Sequence, residues 1–191
     1  MNRRTILTLP LIGAMMTDSN DAEAQAPAPT DRENLLLLEI PHGTVTIQLR
    51  PDLAPRHVER IKILARRGFY DNTPFHRVIE GFMAQGGDPT GTGTGGSDLP
   101  DLPAEFSPPN RARFLRGTCG MARTQNPNSA NSQFFIMFAP GSFLDGQYTI
   151  WGQVISGMEA VDRIARGAGQ SGQVRNPDRI TRMRVAADVP A

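Results

Sequence analysis

The 191-residue chain lacks several features that define large classes of protein. It has one cysteine, Cys119, so no disulfide can form within the chain. Its 20 basic and 19 acidic residues give a net charge of +1, without the basic surplus expected of a nucleic-acid-binding protein. It has no apolar run of about 18 residues, so neither a membrane-spanning helix nor a membrane anchor is predicted. Its three histidines, His42, His57 and His76, are not spaced as metal ligands, and we predict no metal or other cofactor.

Residues 1–30 are expected to form a signal peptide and a short linker. Arg3 and Arg4 precede a short apolar stretch at 6–16, and residues 22–26 contain two small-x-small motifs typical of signal-peptide cleavage sites. The paired arginines also fit a twin-arginine signal, so the Sec and twin-arginine routes both stay open. The alternative is a disordered cytosolic tail, which the acidic residues after the apolar stretch favour. We expect export to the periplasm.

The rest of the chain, 31–191, is expected to form one mainly β domain. Val45, Ile47 and Leu49 alternate with polar residues, which is the pattern of a half-buried strand. Short apolar runs between glycine- and proline-rich loops complete a set of predicted strands at 35–40, 44–50, 75–79, 82–85, 118–122, 133–138, 149–154 and 179–186. Many short strands and few helices favour a closed eight-stranded antiparallel β-barrel, capped by two α-helices.

The two helices are predicted from their apolar periodicity. At 55–67, Pro55 suits the first helical position, and Gly68 suits the left-handed residue that ends a helix. At 158–166, apolar residues recur every three or four positions. We expect both helices to lie over the ends of the barrel.

Two sequence motifs carry most of the functional information. The first is Phe-His-Arg-Val-Ile-Glu-Gly-Phe-Met-Ala-Gln-Gly-Gly-Asp at 75–88; the second is Ser-Gln-Phe-Phe-Ile at 132–136, followed by Phe-Leu-Asp-Gly at 143–146. Together they closely resemble the cyclophilin type of peptidyl-prolyl cis/trans isomerase, in a bacterial and exported form. The resemblance extends over about 35–185, and the glycine run at 91–96 falls where the family pattern places it. It implies the cyclophilin fold and isomerisation of X-Pro bonds without a cofactor.

The resemblance also implies the residues of the site. Arg77, Gln85 and Phe135 correspond to the catalytic positions. The residues implied to bind substrate are His76, Phe82, Met83, Gly93, Ala122, Arg123, Thr124, Gln133, Phe143, Leu144 and Tyr148. The apolar members would line a slot for the prolyl ring, while Gln133 and the segment 122–124 would hold the substrate backbone.

The residue types suit this chemistry independently of the family. Rotation about an amide is opposed by a resonance barrier of ~18–20 kcal/mol, and no bond need break to lower it. Arg77 stays charged and offers a rigid fork of donors for the nitrogen of a twisted amide. A charged hydrogen bond contributes ~1.5–3 kcal/mol, so substrate positioning and exclusion of water must supply further acceleration. On a strand, Gln85 faces the same way as Met83 and can brace Arg77 beside the slot.

Structural interpretations compete with functional ones at several positions. An aromatic pair in a strand must face opposite ways, and we expect Phe135 to face the slot and Phe134 the core. The glycine run at 91–96 lacks the Lys-Ser/Thr of a phosphate loop, which favours a plain loop at the wall of the site. Cys119 is interpreted as a small buried residue. Structural roles are assigned to the carboxylates of Asp88, Glu105 and Asp145.

Three rim positions depart from the family pattern. Phe143 stands where many cyclophilins have Trp, Tyr148 where His is common, and Arg123 where Asn is common. Without an indole N–H donor, cyclosporin binding is less expected than isomerase activity. We expect Phe143 to preserve the apolar wall, and the changes at Tyr148 and Arg123 to retune the rim of the groove and leave the proline slot intact.

Two functions fit these residues. The first is an exported foldase that acts as a monomer on proline-containing polypeptides during protein folding. The second is a proline-segment-binding chaperone or assembly factor with little turnover, and a structural subunit of an envelope complex is a weaker third. The combination of Arg77, Phe82, Gln85 and Phe135 favours the enzyme, because a binding module needs the slot but not the aimed donor. The client proteins and the residue preferred before proline stay open.

Overall fold

The computed structural model describes residues 31–190, so the signal peptide and linker predicted at 1–30 lie outside the described residues. The strands are β1 (Leu35–Ile40), β2 (Gly43–Leu49), β3 (Arg77–Ile79), β4 (Met83–Gly86), β5 (Thr118–Met121), β6 (Phe134–Met137), β7 (Ile150–Ser156) and β8 (Arg182–Val185). The α-helices are α1 (Pro55–Arg66) and α2 (Met158–Val161). Short 3₁₀ turns lie at Arg32–Asn34, Ser142–Leu144 and Ala186–Asp188.

All eight strands form one antiparallel sheet, in the order β3-β4-β6-β5-β7-β2-β1-β8. The sheet is curled but open, so the prediction of a closed barrel is wrong. The edge strands β3 and β8 do not pair with each other. Irregular chain lies against the β3 edge instead, through an isolated bridge from Arg77 to Gln173, and a second bridge joins Pro74, before β3, to Arg179. Because this chain occupies the β3 edge, the strand ladder does not close.

The eight antiparallel strands and the two helices are confirmed, with differences at their ends. α1 begins at Pro55 as predicted, and Gly68 follows it with a φ of 67°. α2 ends at Val161, well before its predicted end. Beyond it, the amides of Arg163 and Ile164 bond to carbonyls three residues back, so the helix tightens and stops. No helix within 31–190 is long and apolar enough to cross a membrane.

Side chains on the two faces of the sheet form two apolar clusters. The larger one includes residues of the sheet and of both helices. Within it, Phe134 meets Tyr70, Phe75 and Trp151 edge-on, with ring centroids 5.6, 6.3 and 5.8 Å apart. The smaller cluster contains Phe135 and lies on the other face, because neighbouring residues of a strand point to opposite sides.

The start of α1 is held by a carboxylate from a distant loop. Ala54 precedes the helix and offers no capping side chain. Glu105 accepts hydrogen bonds from the amides of Arg56 and His57, at 3.2 and 3.0 Å, and lies 2.6 Å from His57 Nδ1. A negative charge at this end of a helix is favourable, so the contact gives Glu105 a structural role.

We expect Phe134→Ala to lower the free energy of unfolding by about 3–5 kcal/mol, because it removes a fully buried ring from between three other rings. Chemical denaturation measures the change. Phe143→Ala is the matched control, since Phe143 is 65% exposed. That variant should stay within about 0.5 kcal/mol of the wild type. Equal losses in the two variants would contradict the place of Phe134 in the core.

Candidate active site

Strand pairing aligns three of the predicted site residues in one row across the sheet. Arg77 of β3 pairs with Gln85 of β4, and Gln85 pairs with Phe135 of β6. Side chains at directly paired positions lie side by side on the same face. The register therefore places a cation, an amide and an aromatic ring next to one another on regular backbone.

A chain of hydrogen bonds holds the polar side chains of this row. Arg77 Nη1 donates to Gln85 Oε1 at 3.1 Å, and Gln85 Nε2 donates to Gln133 Oε1 at 3.0 Å. Gln133 Nε2 in turn donates to two carbonyls of the glycine run at 91–96. On its other side, Arg77 Nε donates to the carbonyl of Ser171 at 3.0 Å. The guanidinium is thus held from two directions.

These side chains border a cavity of about 480 Å³. Phe82, Met83, Phe135 and Leu144 form its apolar wall, and Arg77 and Gln85 lie on its polar side. The other predicted residues at its wall are His76, Gly93, Ala122, Arg123 and Tyr148. A volume of this order is typical of pockets that bind small ligands.

Phe114 and Gly120, which no sequence motif indicated, both contact the ring of Phe135. The Phe135 ring stacks on Phe114, with centroids 5.6 Å apart and 24° between the planes, and it meets Tyr148 edge-on at 5.9 Å. The ring lies over Gly120 of β5, where a Cβ would collide with Phe135 and come within 2.6 Å of Phe114. Glycine is required at this position because another strand's ring occupies the space of a side chain.

A second cavity of about 480 Å³ adjoins the first. The two share four lining residues, Gln85, Gly93, Ala122 and Arg123. Thr124 and Gln133, which were predicted to hold the substrate backbone, line this second cavity and not the first. The predicted binding residues are therefore divided between two neighbouring parts of one groove.

Ser171 and Gln173 also line the first cavity, and the sequence motifs did not indicate them. The available signal was the run Gly-Ala-Gly-Gln-Ser-Gly at 167–172. Its glycines at 169 and 172 have φ values of 61° and 69°, in the left-handed region that favours glycine. Such a run indicates an unusual backbone path, but it does not reveal which strand the path approaches.

Comparison with known proteins identifies the family. A family model described as cyclophilin type peptidyl-prolyl cis-trans isomerase/CLD matches residues 35–185. The chain belongs to the cyclophilin family. A probable peptidyl-prolyl cis-trans isomerase of Brucella suis is 53% identical over 176 residues, which cover 86% of this chain and 88% of the relative. A peptidyl-prolyl cis-trans isomerase-like 1 protein of Gibberella zeae is 43% identical over 130 residues, which cover 68% and 80%.

Solved cyclophilin structures share the architecture. A cyclophilin from Hirschia baltica superposes with a TM-score of 0.74 at 29% identity, covering 84% of this chain and 76% of that one. A cyclophilin-type isomerase of Cryptosporidium parvum, solved in the presence of the dipeptide Ala-Pro, gives a TM-score of 0.73 at 30% identity, with coverage of 79% and 98%. The chain is a cyclophilin-type peptidyl-prolyl isomerase, as the sequence motifs predicted, and the Brucella relative is consistent with a bacterial member.

In this cyclophilin, Arg123 is held against aromatic rings at the boundary between the two cavities. Its guanidinium carbon lies 4.4 Å from the ring centroid of Tyr148 and 5.7 Å from that of Phe106. Its Nη atoms donate to the carbonyls of Thr124 at 2.9 Å and Gln147 at 2.7 Å. These contacts hold the guanidinium against neighbouring residues of the groove rim, so Arg123 shapes the boundary between the cavities.

Phe143 lies outside both cavities of the cyclophilin. Its exposed ring packs against Phe82, with centroids 5.4 Å apart and 48° between the planes. Phe143 therefore extends the apolar surface around Phe82 without lining either cavity, and its role in substrate binding stays a prediction.

Asp88 shapes the loop that carries the glycine run. Its buried carboxylate accepts hydrogen bonds from the amides of Thr90, Gly93 and Gly95, at 2.7 to 3.0 Å, and from the Thr90 hydroxyl. Burial opposes the ionisation of Asp88, but these hydrogen bonds outweigh it, so its pKa lies below the ordinary value. Amides that could cradle a phosphate thus surround the chain's own carboxylate.

His76 is a buried member of the cavity wall. Neither of its ring nitrogens has a hydrogen-bond partner within 31–190. Burial lowers the pKa of His76, the charge of Arg77 lowers it further, and Asp88 opposes both effects. The imidazole is therefore neutral near pH 7 and contributes packing rather than a charge.

We expect the free energy of unfolding to fall as the pH is lowered through about 6.5, the pKa of an unfolded histidine. Burial lowers the pKa of both His57 and His76 in the folded cyclophilin, so the unfolded chain takes up protons first. His76→Phe keeps a ring and removes one of these groups, so its stability should fall less. Denaturation midpoints at about pH 7.5 and about pH 5.5 measure both proteins. An equal loss of stability in the wild type and in His76→Phe between these two pH values would contradict a neutral buried His76.

Proposed function

We propose that this cyclophilin accelerates rotation about X-Pro bonds of proline-containing polypeptides during protein folding, with Arg77 donating a hydrogen bond to the twisted prolyl amide. The observation that carries the proposal is the position of the Arg77 guanidinium, which is braced from two sides at the edge of an apolar cavity. Phe135 and its apolar neighbours provide the wall against which the prolyl ring packs.

The physical basis is a difference between the planar and the twisted amide. In the planar form the nitrogen lone pair is delocalised, which creates the ~18–20 kcal/mol barrier to rotation. As the bond twists, the lone pair returns to the nitrogen and can accept a hydrogen bond. A donor aimed there binds the transition state more strongly than the ground state, which is the condition for acceleration. An apolar wall also excludes the water that favours the polar, planar amide.

Arg77 keeps donors free for the substrate. A guanidinium has five N–H groups. The Nε–H is bonded to the Ser171 carbonyl and one Nη1–H to Gln85, whereas Nη2 has no hydrogen-bond partner within 31–190. Because two contacts already hold the fork, little side-chain freedom remains to be lost when Nη2 meets a substrate.

One donor does not supply the whole rate. A charged hydrogen bond of ~1.5–3 kcal/mol corresponds to roughly a 10- to 100-fold acceleration. Further acceleration must come from alignment of the peptide along the groove and from exclusion of water at the apolar wall. The second cavity, lined by Gln133 and Thr124, lies where it can hold the peptide on one side of the proline.

The alternative function, a proline-segment-binding chaperone or assembly factor with little turnover, uses the same groove. It requires the apolar wall but not a cation held at two points. The contacts of Arg77 with Gln85 and with the Ser171 carbonyl therefore favour turnover.

We expect Arg77→Ala to lower kcat/KM for a proline-containing peptide by roughly 10- to 100-fold, because it removes the donor and leaves the apolar wall in place. A protease-coupled isomerisation assay measures the rate, and peptide titration measures affinity. Arg182→Ala is the matched control, since Arg182 is exposed and does not line the cavity. That control should keep the wild-type rate.

Equal rates in Arg77→Ala and the wild type would contradict the role of Arg77. A wild-type protein that binds the peptide but leaves its isomerisation rate unchanged would support the binding module instead. Phe135→Ala completes the comparison, because loss of the wall should weaken peptide binding as well as turnover.

We also propose that residues 1–30 direct export to the periplasm, where the mature domain acts as a monomer. The support is the pair Arg3-Arg4 before the apolar stretch at 6–16, followed by small-x-small motifs at 22–26. An enzyme for proline-limited folding is useful there, because uncatalysed isomerisation takes ~10–100 s.

We expect the protein isolated from cells to begin just after the motifs at 22–26, because signal peptidases cleave after such small residues. N-terminal sequencing of the periplasmic fraction tests this. Changing both Arg3 and Arg4 to Lys separates the routes: a twin-arginine signal should fail, and a Sec signal should still work. A cytosolic protein that still carries the first 26 residues would contradict export.

A further inference from the structure

β3 is an edge strand, and an edge strand normally leaves one row of backbone groups unpaired. In this cyclophilin irregular chain pairs with that row: the amide of Gly167 donates to the Val78 carbonyl at 2.8 Å, and residues 171–174, which we call the bracing segment, make the other contacts. The amide of Val78 donates to the carbonyl of Gly172 at 2.7 Å. The amide of Val174 donates to the carbonyl of His76 at 3.0 Å. The backbone on both sides of Arg77 is therefore fixed by this segment.

The bracing segment also holds the Arg77 side chain. The carbonyl of Ser171 accepts from Arg77 Nε at 3.0 Å, and Gln85 accepts from Nη1 on the other side at 3.1 Å. The two contacts define the plane of the guanidinium and leave Nη2 for the substrate. With Gln85 alone, the fork would be held at one nitrogen and could turn about the remaining bonds.

We propose that the bracing segment is a positioning element of the active site, with Gly172 as the residue that lets it reach Arg77. The inference rests on the proposed function of Arg77. Since the contact uses the Ser171 carbonyl, it depends on how closely the backbone of the segment approaches β3.

That approach requires glycine. Gly172 has a φ of 69°, and a Cβ there would collide with Ile79 Cγ1 and lie 3.0 Å from the Val78 carbonyl oxygen. A side chain at 172 must therefore push the segment away from β3 and carry the Ser171 carbonyl off Arg77.

Gly169 supplies a matched control in the turn before the segment. Its φ of 61° is close to that of Gly172, so an alanine at either position meets similar backbone strain. A Cβ at Gly169 has no atom within 4 Å. Gly169→Ala thus introduces the strain without the collision.

The first measurement uses the wild-type chain and follows the Arg77 Nε–H resonance by NMR. A hydrogen bond to the Ser171 carbonyl should make this proton exchange with water more slowly than the Nε–H of the exposed Arg182. In Gly172→Ala the Arg77 resonance should shift and its exchange should speed up, while in Gly169→Ala it should stay in place. Exchange at Arg77 as fast as at Arg182 in the wild type would overturn the proposal.

The second measurement separates kcat from KM. We expect Gly172→Ala to lower kcat roughly tenfold with little change in KM. The apolar wall that binds the prolyl ring remains, whereas the Arg77 guanidinium is no longer held in its orientation. Gly169→Ala should keep both values. Where Gly172→Ala does not fold, as judged by thermal unfolding, Gly172→Asn replaces it, since asparagine tolerates the left-handed region and meets the same atoms of β3.

A double-mutant cycle tests whether the segment acts through Arg77. In an Arg77→Ala background, assayed at raised enzyme concentration, Gly172→Ala should change kcat/KM by less than about twofold. A tenfold loss in that background, or a folded Gly172 variant with full kcat, overturns the positioning role alone. Full activity of Arg77→Ala itself overturns the proposed function instead, so the two failures are distinguishable.

Discussion

Arg77 donates to Gln85 across the pairing of two short strands at the edge of the sheet, and the geometry of the active site follows from that contact. A free arginine on an edge strand would extend into solvent and sample many rotamers. Here Gln85 passes the constraint on to Gln133 and, through it, to the glycine loop that Asp88 organises. The cation is thereby coupled to both cavities of the groove. In the mechanism we propose, a donor held in this way needs little rearrangement when the prolyl amide twists.

The core and the active site share strand β6. Phe134 lies among buried rings on one face, and Phe135 lies beside Arg77 and Gln85 on the other. Strand alternation permits this because adjacent side chains point apart. The rigid packing around Phe134 therefore also fixes where the ring of Phe135 can stand. Gly120 serves the same purpose from β5, since its missing side chain leaves the space that Phe135 fills.

Local patterns predicted most of the regular structure. Alternating apolar residues indicated strands such as β2, and Pro55 with Gly68 marked the ends of α1. The same patterns overextended α2, because its later amides form tighter turns that keep a similar apolar spacing. They also suggested a closed barrel, although glycine-rich chain occupies the edge where β8 would have had to pair. Periodicity reports which face a residue prefers, but not which strands meet at the ends of a sheet.

The sequence by itself determined the family, through a long specific motif, and the strand alternation that separates Phe134 from Phe135, through local spacing. The resemblance to that family implied Arg77, Gln85 and Phe135 as site residues, and the strand register then placed them in one row. Only the tertiary structure decided that the sheet stays open, that Phe114 and Gly120 lie against Phe135, and that Ser171 reaches Arg77. The reason is physical. These contacts join residues far apart in the chain, and their strength depends on close backbone approach and ring stacking, which exist only after the chain has folded.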